Sequence, residues 1–392
     1  MSLIVALVGL MFLVLIHEAG HFFAARAVGM TPRKFYVGFG KPIARVVRNG
    51  VEYGFGSIPL GGYVKIPGMT RPAPGDLRTA ADPATVARYG PEFESLDAAI
   101  ERGDDAHARE VIDRLRPALG ETRAWRELEM SLAPDAYWRQ KTWRKLVVIG
   151  AGPAVNIAFA IVLFWLLFLV ATNIGTTKVA ALEPNMPAKA AGIRVGDRVV
   201  SIAGKPVTGK TLSHAIQSTT GGSFRLVVLR KGRRVTIGPL KAKKTDGVYL
   251  IGISREVRTG PGESLPRATK DALKLTWNVV SGTVTSLAHV LTGRDTRQVS
   301  SVVGVVRAAG RTWRDGARDF LYMLGLISLS LGVINLFPVL PLDGGYITVA
   351  VVERLRGRSL PRGLMLRYFA VGGALMAFLL FIGLRNDLPG LW

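Results

Sequence analysis

Residues 3–22 read Leu-Ile-Val-Ala-Leu-Val-Gly-Leu-Met-Phe-Leu-Val-Leu-Ile-His-Glu-Ala-Gly-His-Phe. An apolar run of this kind, extending over residues 2–28, reads as a membrane-spanning helix. Ionisable groups inside it are expensive: one at bilayer depth costs about 2.5–3.5 kcal/mol on insertion scales. Their spacing supplies a reason for keeping them. His17 and His21 are four residues apart, so on a helix both imidazoles share a face and can reach one zinc ion. Glu18 stands beside them, able to polarise a metal-bound water. At 1.5 Å per residue His17 lies roughly 20–25 Å along the helix, the inner third of a core about 30 Å thick. A short span over 3–16 with the motif at headgroup level would explain tolerance of the charges, but not their spacing. A cleaved signal peptide is the other rival, because Ala25-Arg26-Ala27 resembles a cleavage site. The missing basic leader and the His and Glu inside the run argue against it.

Working outward, three more apolar runs follow at 146–171, 320–338 and 368–384, giving four spans and both termini on one side. The chain is 392 residues long, 49% hydrophobic, with a formal charge of +23. Such a charge raises nucleic acid as a partner, but the basic residues are spread along the chain and flank apolar runs. They read instead as anchors to anionic lipid and as topology signals. Arg26, Arg33 and Lys34 follow the first span, Arg139 to Lys145 precede the second, and Arg354 to Arg367 lie between the third and fourth. These fall on one face, which the positive-inside rule makes cytoplasmic. Arg307, Arg311, Arg314 and Arg318, on the opposite face, weaken the rule here.

With no cysteine in the chain, disulfides, thiolate catalysis and thiolate-bound zinc are excluded. A catalytic zinc takes three protein ligands and water, so a third donor must join His17 and His21. The other histidines, His107, His214 and His289, lie in charged or amphipathic stretches. Asp343 is the better candidate. It closes the stretch Asn335-Leu-Phe-Pro-Val-Leu-Pro-Leu-Asp343-Gly-Gly345, where two prolines break the third span at the same inner depth and two glycines let the backbone bend. Broken backbone at that depth is tolerated only where it lines protein or water. Alone, this stretch would read as an ordinary turn.

Outside the spans, Asn49-Gly50 between β-favouring runs marks a hairpin over 44–56. Residues 178–255 alternate strands, expected at 179–183, 198–203, 223–230, 233–238 and 248–253, with Gly-rich turns. Residues 70–140 carry a charged helical pattern, read as two helices about a turn at Gly103-Asp104-Asp105. A metal transporter is a rival for intramembrane His and Asp, but the paired broken helices it needs are missing. A noncatalytic scaffold is a second rival, and it gives Glu18 nothing to do.

H-E-x-x-H in the first span and N-x-x-P with L-D-G in the third resemble the bacterial site-2 proteases, zinc intramembrane metalloproteases of the regulator-of-sigma-E protease type. Val37-Gly38-Phe39-Gly40 and Pro59 to Lys65 are similar to that family's membrane-associated β region, and Gly152-Pro-Ala-Val-Asn156 to its G-P-x-x-N pattern. Residues 186–207 resemble a bacterial PDZ domain. The resemblance implies a polytopic α-helical membrane protein: four transmembrane helices, a membrane-associated β region and one extracytoplasmic PDZ domain. It implies Zn2+ on His17, His21 and Asp343 with Glu18 as base and acid. It further implies that Asn335 and Asn156 position substrate, and that the hairpin with Gly38 and Gly40 holds an extended substrate strand. The expected partners are the lipid bilayer and a single-span membrane protein, an anti-sigma factor or signal-peptide remnant, with no nucleic acid. The expected location is the bacterial inner membrane, with both termini and the PDZ domain outside and the active site near the cytoplasmic side. The segments then run 1–30 (first span), 31–69 (β hairpin region), 70–140 (cytoplasmic helical insert), 141–173 (second span), 174–256 (PDZ), 257–319 (extracytoplasmic amphipathic linker), 320–345 (third span), 346–367 (cytoplasmic basic segment) and 368–392 (fourth span). Leu340, Tyr346 and Val302-Val303-Gly304 depart from the family's pattern. None of them removes a ligand or the base.

Overall fold

The computed structural model describes residues 2–73, 75–120, 122–245, 248–292 and 300–388. The chain forms two compact units, Met1–Phe164 with Ala272–Trp392, and Trp165–Asp271. Among the described residues, four helices are long and apolar enough to cross a membrane.

The first unit begins with α1 (Ser2–Ala27), then β1 (Lys34–Arg48) and β2 (Val51–Lys65). Asn49 and Gly50 both take positive φ, 50° and 74°, as a two-residue hairpin turn demands. The sheet is wider than a hairpin over 44–56. Gly38 and Gly40, at φ 83° and 88°, bend β1 so that its first part leaves the hairpin. Residues 42–48 pair with 51–56, while 34–37 is flanked on both sides, by 52–55 and by 62–65. Four short segments therefore lie side by side, with 42–48 and 62–65 as the rims.

The insert holds more helix than its sequence pattern suggested. It contains α2 (Asp76–Ala80), α3 (Pro83–Arg88), α4 (Gly90–Arg102), α5 (Asp105–Leu119) and α6 (Arg123–Leu132). Asp82, Asp104 and Thr122 cap α3, α5 and α6 by accepting from backbone N–H groups. The expected turn forms where Gly103 takes a left-handed φ of 72°. Phe93, Leu96, Leu115 and Trp125 are fully buried in a core that the insert builds for itself. Arg33 binds Asp135 at 2.9 Å and so ties the end of the insert to the chain after α1.

α7 (Thr142–Val170) then leads into the second unit. That unit comprises β3 (Ala171–Leu182), α8 (Pro187–Ala190), β4 (Arg198–Ile202), β5 (Lys205–Pro206), α9 (Leu212–Gln217), β6 (Ser223–Arg230), β7 (Arg233–Lys241), β8 (Lys243–Thr245), β9 (Val248–Leu250) and β10 (Ile253–Pro261). The strand expected over 248–253 is split, because Gly252 takes φ 79° between β9 and β10. The sheet order is β10-β3-β4-β6-β7, with β5 on β4. Leu226 and Val228 of β6 alternate inward, and Val199 and Ile202, on either side of a register irregularity in β4, join them in one core with Leu212 of α9. Asp197, 1% exposed, takes a two-point grip from Arg230, 2.8 Å from Nε and 2.7 Å from Nη2. Those hydrogen bonds hold its carboxyl below the ordinary range.

The remaining helices are α10 (Leu265–Leu291), α11 (Val302–Asp315), α12 (Ala317–Asn335), α13 (Asp343–Arg356) and α14 (Arg362–Asp387). Where the sequence suggested a linker, α10 and α11 are regular helices. The third span stops at Asn335, short of the expected 338, and Asp343 does not belong to it. Pro338 and Pro341 cannot donate to a helical ladder, so the chain turns and restarts, with Asp343 in the first turn of α13 where a carboxylate suits the helix dipole. The expected basic segment is therefore largely helical. At the far end, the Asp387 carboxylate accepts from the Ser301 N–H and the Ser300 hydroxyl, joining α14 to the start of α11. A side chain added at Gly310 of α11 would touch Ser2. The start of α1, α11 and the end of α14 thus share one side of the unit.

Candidate metal centre

α1 presents His17 and His21 one turn apart on its buried face, 7% and 6% exposed. α13 brings Asp343 to them. Asp343 Oδ2 lies 3.2 Å from His17 Nε2 and 3.4 Å from His21 Nε2, and the two Nε2 atoms are 3.2 Å apart. Among the described residues these are the three whose donor atoms converge as a metal site would require. The triangle can be tested for size. Zinc bonds of about 2.0–2.15 Å set tetrahedral ligands about 1.63 times as far apart, or about 3.3–3.5 Å. The edges found match that face closely. Asp343 Oδ2 is buried without a hydrogen-bond partner, as expected of an atom turned toward a cation.

The ring of His21 is oriented from behind. Its Nδ1 lies 2.8 Å from the Val148 carbonyl of α7, which can only accept, so Nδ1 carries the proton. Neutral His21 then offers Nε2 as a lone pair to the centre. α7 approaches this closely because two glycines remove the obstacles. A Cβ at Gly20 would stand 2.7 Å from the Ala151 carbonyl oxygen, and one at Gly152 would stand 2.3 Å from His21 Nε2. Small residues at a helix crossing permit such backbone contact in a membrane.

Glu18 stays outside the triangle. The backbone N–H of Val64 faces its carboxylate, and a Cβ at Gly62 would lie 3.4 Å from Glu18 Cγ. The rim segment 62–65 of the small sheet therefore lies directly beside this carboxylate.

The other candidate positions are spread more widely. Asn156 is fully buried on α7, and its side chain has no hydrogen-bond partner among the described residues. Its backbone carbonyl accepts from Ser328 of α12 at 3.0 Å. Asn335 closes α12 and donates to its own Leu331 carbonyl. Gly38 and Gly40 sit at the bends of β1, where a Cβ would strike the Ile58 carbonyl oxygen and Ser57 Oγ. Local backbone geometry alone accounts for glycine at both. In the sequence Gly152 stood only within the G-P-x-x-N pattern, Gly62 and Val64 only within the membrane-associated β region, and Val148 had no role. The available signal was a glycine in an apolar span, which marks a close approach without naming the partner.

The family model described as Peptidase family M50 matches residues 5–379. A Rhizobium meliloti (strain 1021) protein provisionally named a zinc metalloprotease is 28% identical over 400 residues, covering 97% of this chain and 94% of that one. A similarly named protein of Brucella suis biovar 1 is 26% identical, over 96% of this chain and 92% of its own. Zinc metalloprotease Rip1 of Mycobacterium tuberculosis is 29% identical over 389 residues, covering 88% of this chain and 83% of Rip1. With the matched span reaching from the first apolar helix to the last, the chain belongs to peptidase family M50, the site-2 proteases, and is a zinc-dependent metalloprotease.

Proposed function

We propose that this enzyme is an intramembrane endopeptidase that cuts the spans of single-span membrane proteins, with an anti-sigma factor or a signal-peptide remnant as the expected substrate class. The observation that carries the reading is the position of the donor triangle. It lies about 22 Å along α1, a helix able to cross a membrane, so the scissile bond must reach it at lipid depth. His17, His21 and Asp343 would hold the zinc. When bound, zinc supplies Lewis acidity, making water a nucleophile near neutral pH and polarising the scissile carbonyl. Glu18 takes the proton as the water oxygen bonds to the carbonyl carbon. It then gives that proton to the departing amine as the C–N bond breaks, so no net proton is consumed.

A substrate helix hides its carbonyls in its own hydrogen bonds and must be held unwound. Strand addition to a free sheet rim would do this. Residues 62–65 are better placed for it than 44–56, since Val64 touches Glu18. Tyr63→Pro is expected to lower kcat/KM roughly tenfold or more, because its N–H faces 34–37 and its loss breaks the pairing that holds this rim beside Glu18. Val46→Pro, on the opposite rim, should leave it within about twofold, because an edge strand tolerates proline. Cleavage assays that rank the two variants the other way would return the role to 44–56.

The β-rich unit is read as a PDZ domain that excludes substrates with large outer domains. The cleft between α9 and residues 249–255 supports gate over peptide receptor. It encloses about 100 Å³, well below the roughly 300–1,000 Å³ of ordinary ligand pockets. The basic residues around the inner ends of α1, α7 and α13 favour a cytoplasmic active site in the bacterial inner membrane, with both termini and the PDZ unit outside. The direct test reconstitutes purified enzyme in vesicles with a single-span substrate. Cleavage inside the span, stopped by a chelator and restored by Zn2+, is expected. Cleavage confined to loops outside the bilayer would overturn the reading.

A further inference from the structure

The insert 70–140 has no part in the chemistry above, yet two of its carboxylates converge on one residue of the rim beside Glu18. Glu127 of α6 binds Lys65 Nζ at 2.6 Å. Asp135, just past α6, grips Arg33 at two points, 2.9 Å from Nη2 and 3.1 Å from Nη1. It also accepts the Thr31 N–H at 3.0 Å. Arg33 in turn donates its backbone N–H to the Lys65 carbonyl at 2.7 Å. Lys65 is thus held twice, by its side chain through Glu127 and by its carbonyl through Arg33 and Asp135. The residue before it, Val64, faces Glu18.

These ties fall where packing does not fill the space. A cavity of about 450 Å³ opens between Tyr63 to Ile66 and α6 at Ala124, Leu128 and Ser131, with Lys65 and Glu127 both on its wall. Close-packed side chains fix a strand by leaving it no room. Across an open gap the spacing is set by polar contacts instead. Just beyond Lys65 the chain is sealed. Tyr137 and Trp138 donate their backbone N–H groups to the Pro67 and Gly68 carbonyls at 2.8 and 3.0 Å. A Cβ at Gly68 would stand 2.6 Å from Ala136 Cβ. The insert therefore returns to the chain close to where it departs, and its carboxylates arrive beside the rim. A partly exposed ion pair adds little to folding stability. A substrate displaced by about 1 Å, by contrast, loses much of its reactivity.

We infer that the insert is a brace for the substrate-holding rim, with Glu127 and Asp135 as positioning residues. They act through Lys65 and Arg33 rather than on the substrate itself. Asp135 is the stronger of the two, because a two-point grip on a guanidinium fixes direction as well as distance. Together they set where the backbone of 62–65 stands relative to Glu18, and so where an added substrate strand meets the base. The inference rests on the reading of 62–65 as the strand-adding rim, and it gives the insert a use in the same reaction.

The test uses the full enzyme in detergent micelles with one single-span substrate. Glu127→Lys sets a second cation against Lys65, and Asp135→Asn removes the charge that grips Arg33. Each is expected to raise KM roughly three- to tenfold, with zinc per chain at the wild-type level and kcat within about twofold. Lys65→Glu alone should raise KM similarly, and joining it to Glu127→Lys should recover most of the loss, because the pair re-forms with its charges exchanged. Glu127→Gln, the milder change, should move KM the same way by about twofold and serves if the reversal folds poorly. A pair that only stabilised the fold would lower Tm and the active fraction while leaving KM unchanged. That result, or a double variant no better than its singles, would overturn the brace. Tyr63→Pro separates the brace from its premise. If Tyr63→Pro leaves kcat/KM unchanged, the rim reading fails and the brace with it. If Tyr63→Pro acts while Glu127→Lys and Asp135→Asn leave KM alone, the brace fails and the rim stands.

Discussion

Gly152→Ala is expected to strip the enzyme of zinc and of activity together. The added Cβ would stand 2.3 Å from His21 Nε2, 2.6 Å from its Cε1 and 2.9 Å from His17 Nε2. Real Cβ atoms do not approach other atoms that closely, so something must move. The His21 ring is pinned from behind by the Val148 carbonyl on α7 itself. α7 cannot follow its usual path and also retreat, because its backbone at Ala151 and Gly152 already touches α1 at Gly20. The strain must therefore turn the imidazoles, and a metal site fails when its donors stray by more than about 0.5 Å. Metal analysis of the purified variant should show zinc reduced roughly tenfold or more, with turnover below about 1% of wild type. Gly150→Ala is the matched control, since a Cβ there meets nothing within 4 Å. A Gly152→Ala protein that kept stoichiometric zinc and normal turnover would show that the centre is not built as described.

His17, Glu18 and His21 were legible because a helix fixes what four residues of separation mean. Asp343 was legible only in their company, through the prolines that break the chain beside it. Its true setting, the first turn of a separate α13, was not, because Pro-x-x-Pro says that a helix ends and not that another begins at the next aspartate. Gly152 carried no role in one dimension, since the atoms that forbid a side chain there belong to a helix more than a hundred residues earlier. The hairpin behaved likewise. Asn49-Gly50 declared its turn through positive φ, but the second pairing of 34–37 with 62–65 depends on bends at Gly38 and Gly40. The turn signal alone therefore did not reveal which rim of the sheet lies beside Glu18. The insert's caps at Asp82, Asp104 and Thr122 were visible residues, yet short helices packed on one another lack a period long enough to count.

Glu18→Gln is expected to separate catalysis from every other property of the site. The change removes the charge and the proton-accepting oxygen while keeping the shape, and the new carboxamide fills the same space beside Gly62 and Val64. Fold and rim geometry should survive. Glu18 contributes no atom to the donor triangle, so zinc content should stay at the wild-type level. Loss of a positioned general base lowers turnover by about 10²–10⁴-fold, and an amide cannot replace it. Substrate should still seat, because strand addition to the 62–65 rim makes no use of the Glu18 charge. The variant is therefore expected to hold its substrate uncut, and membrane peptides that co-purify with it would name the natural ones. The measurement that matters is the pair of numbers taken together, zinc per chain and kcat. If zinc falls with kcat, Glu18 is a ligand and the centre is not a three-donor site with a free base. If zinc stays and kcat stays within about tenfold of wild type, the proton goes elsewhere, and the adjacency of Glu18 to the imidazoles is packing.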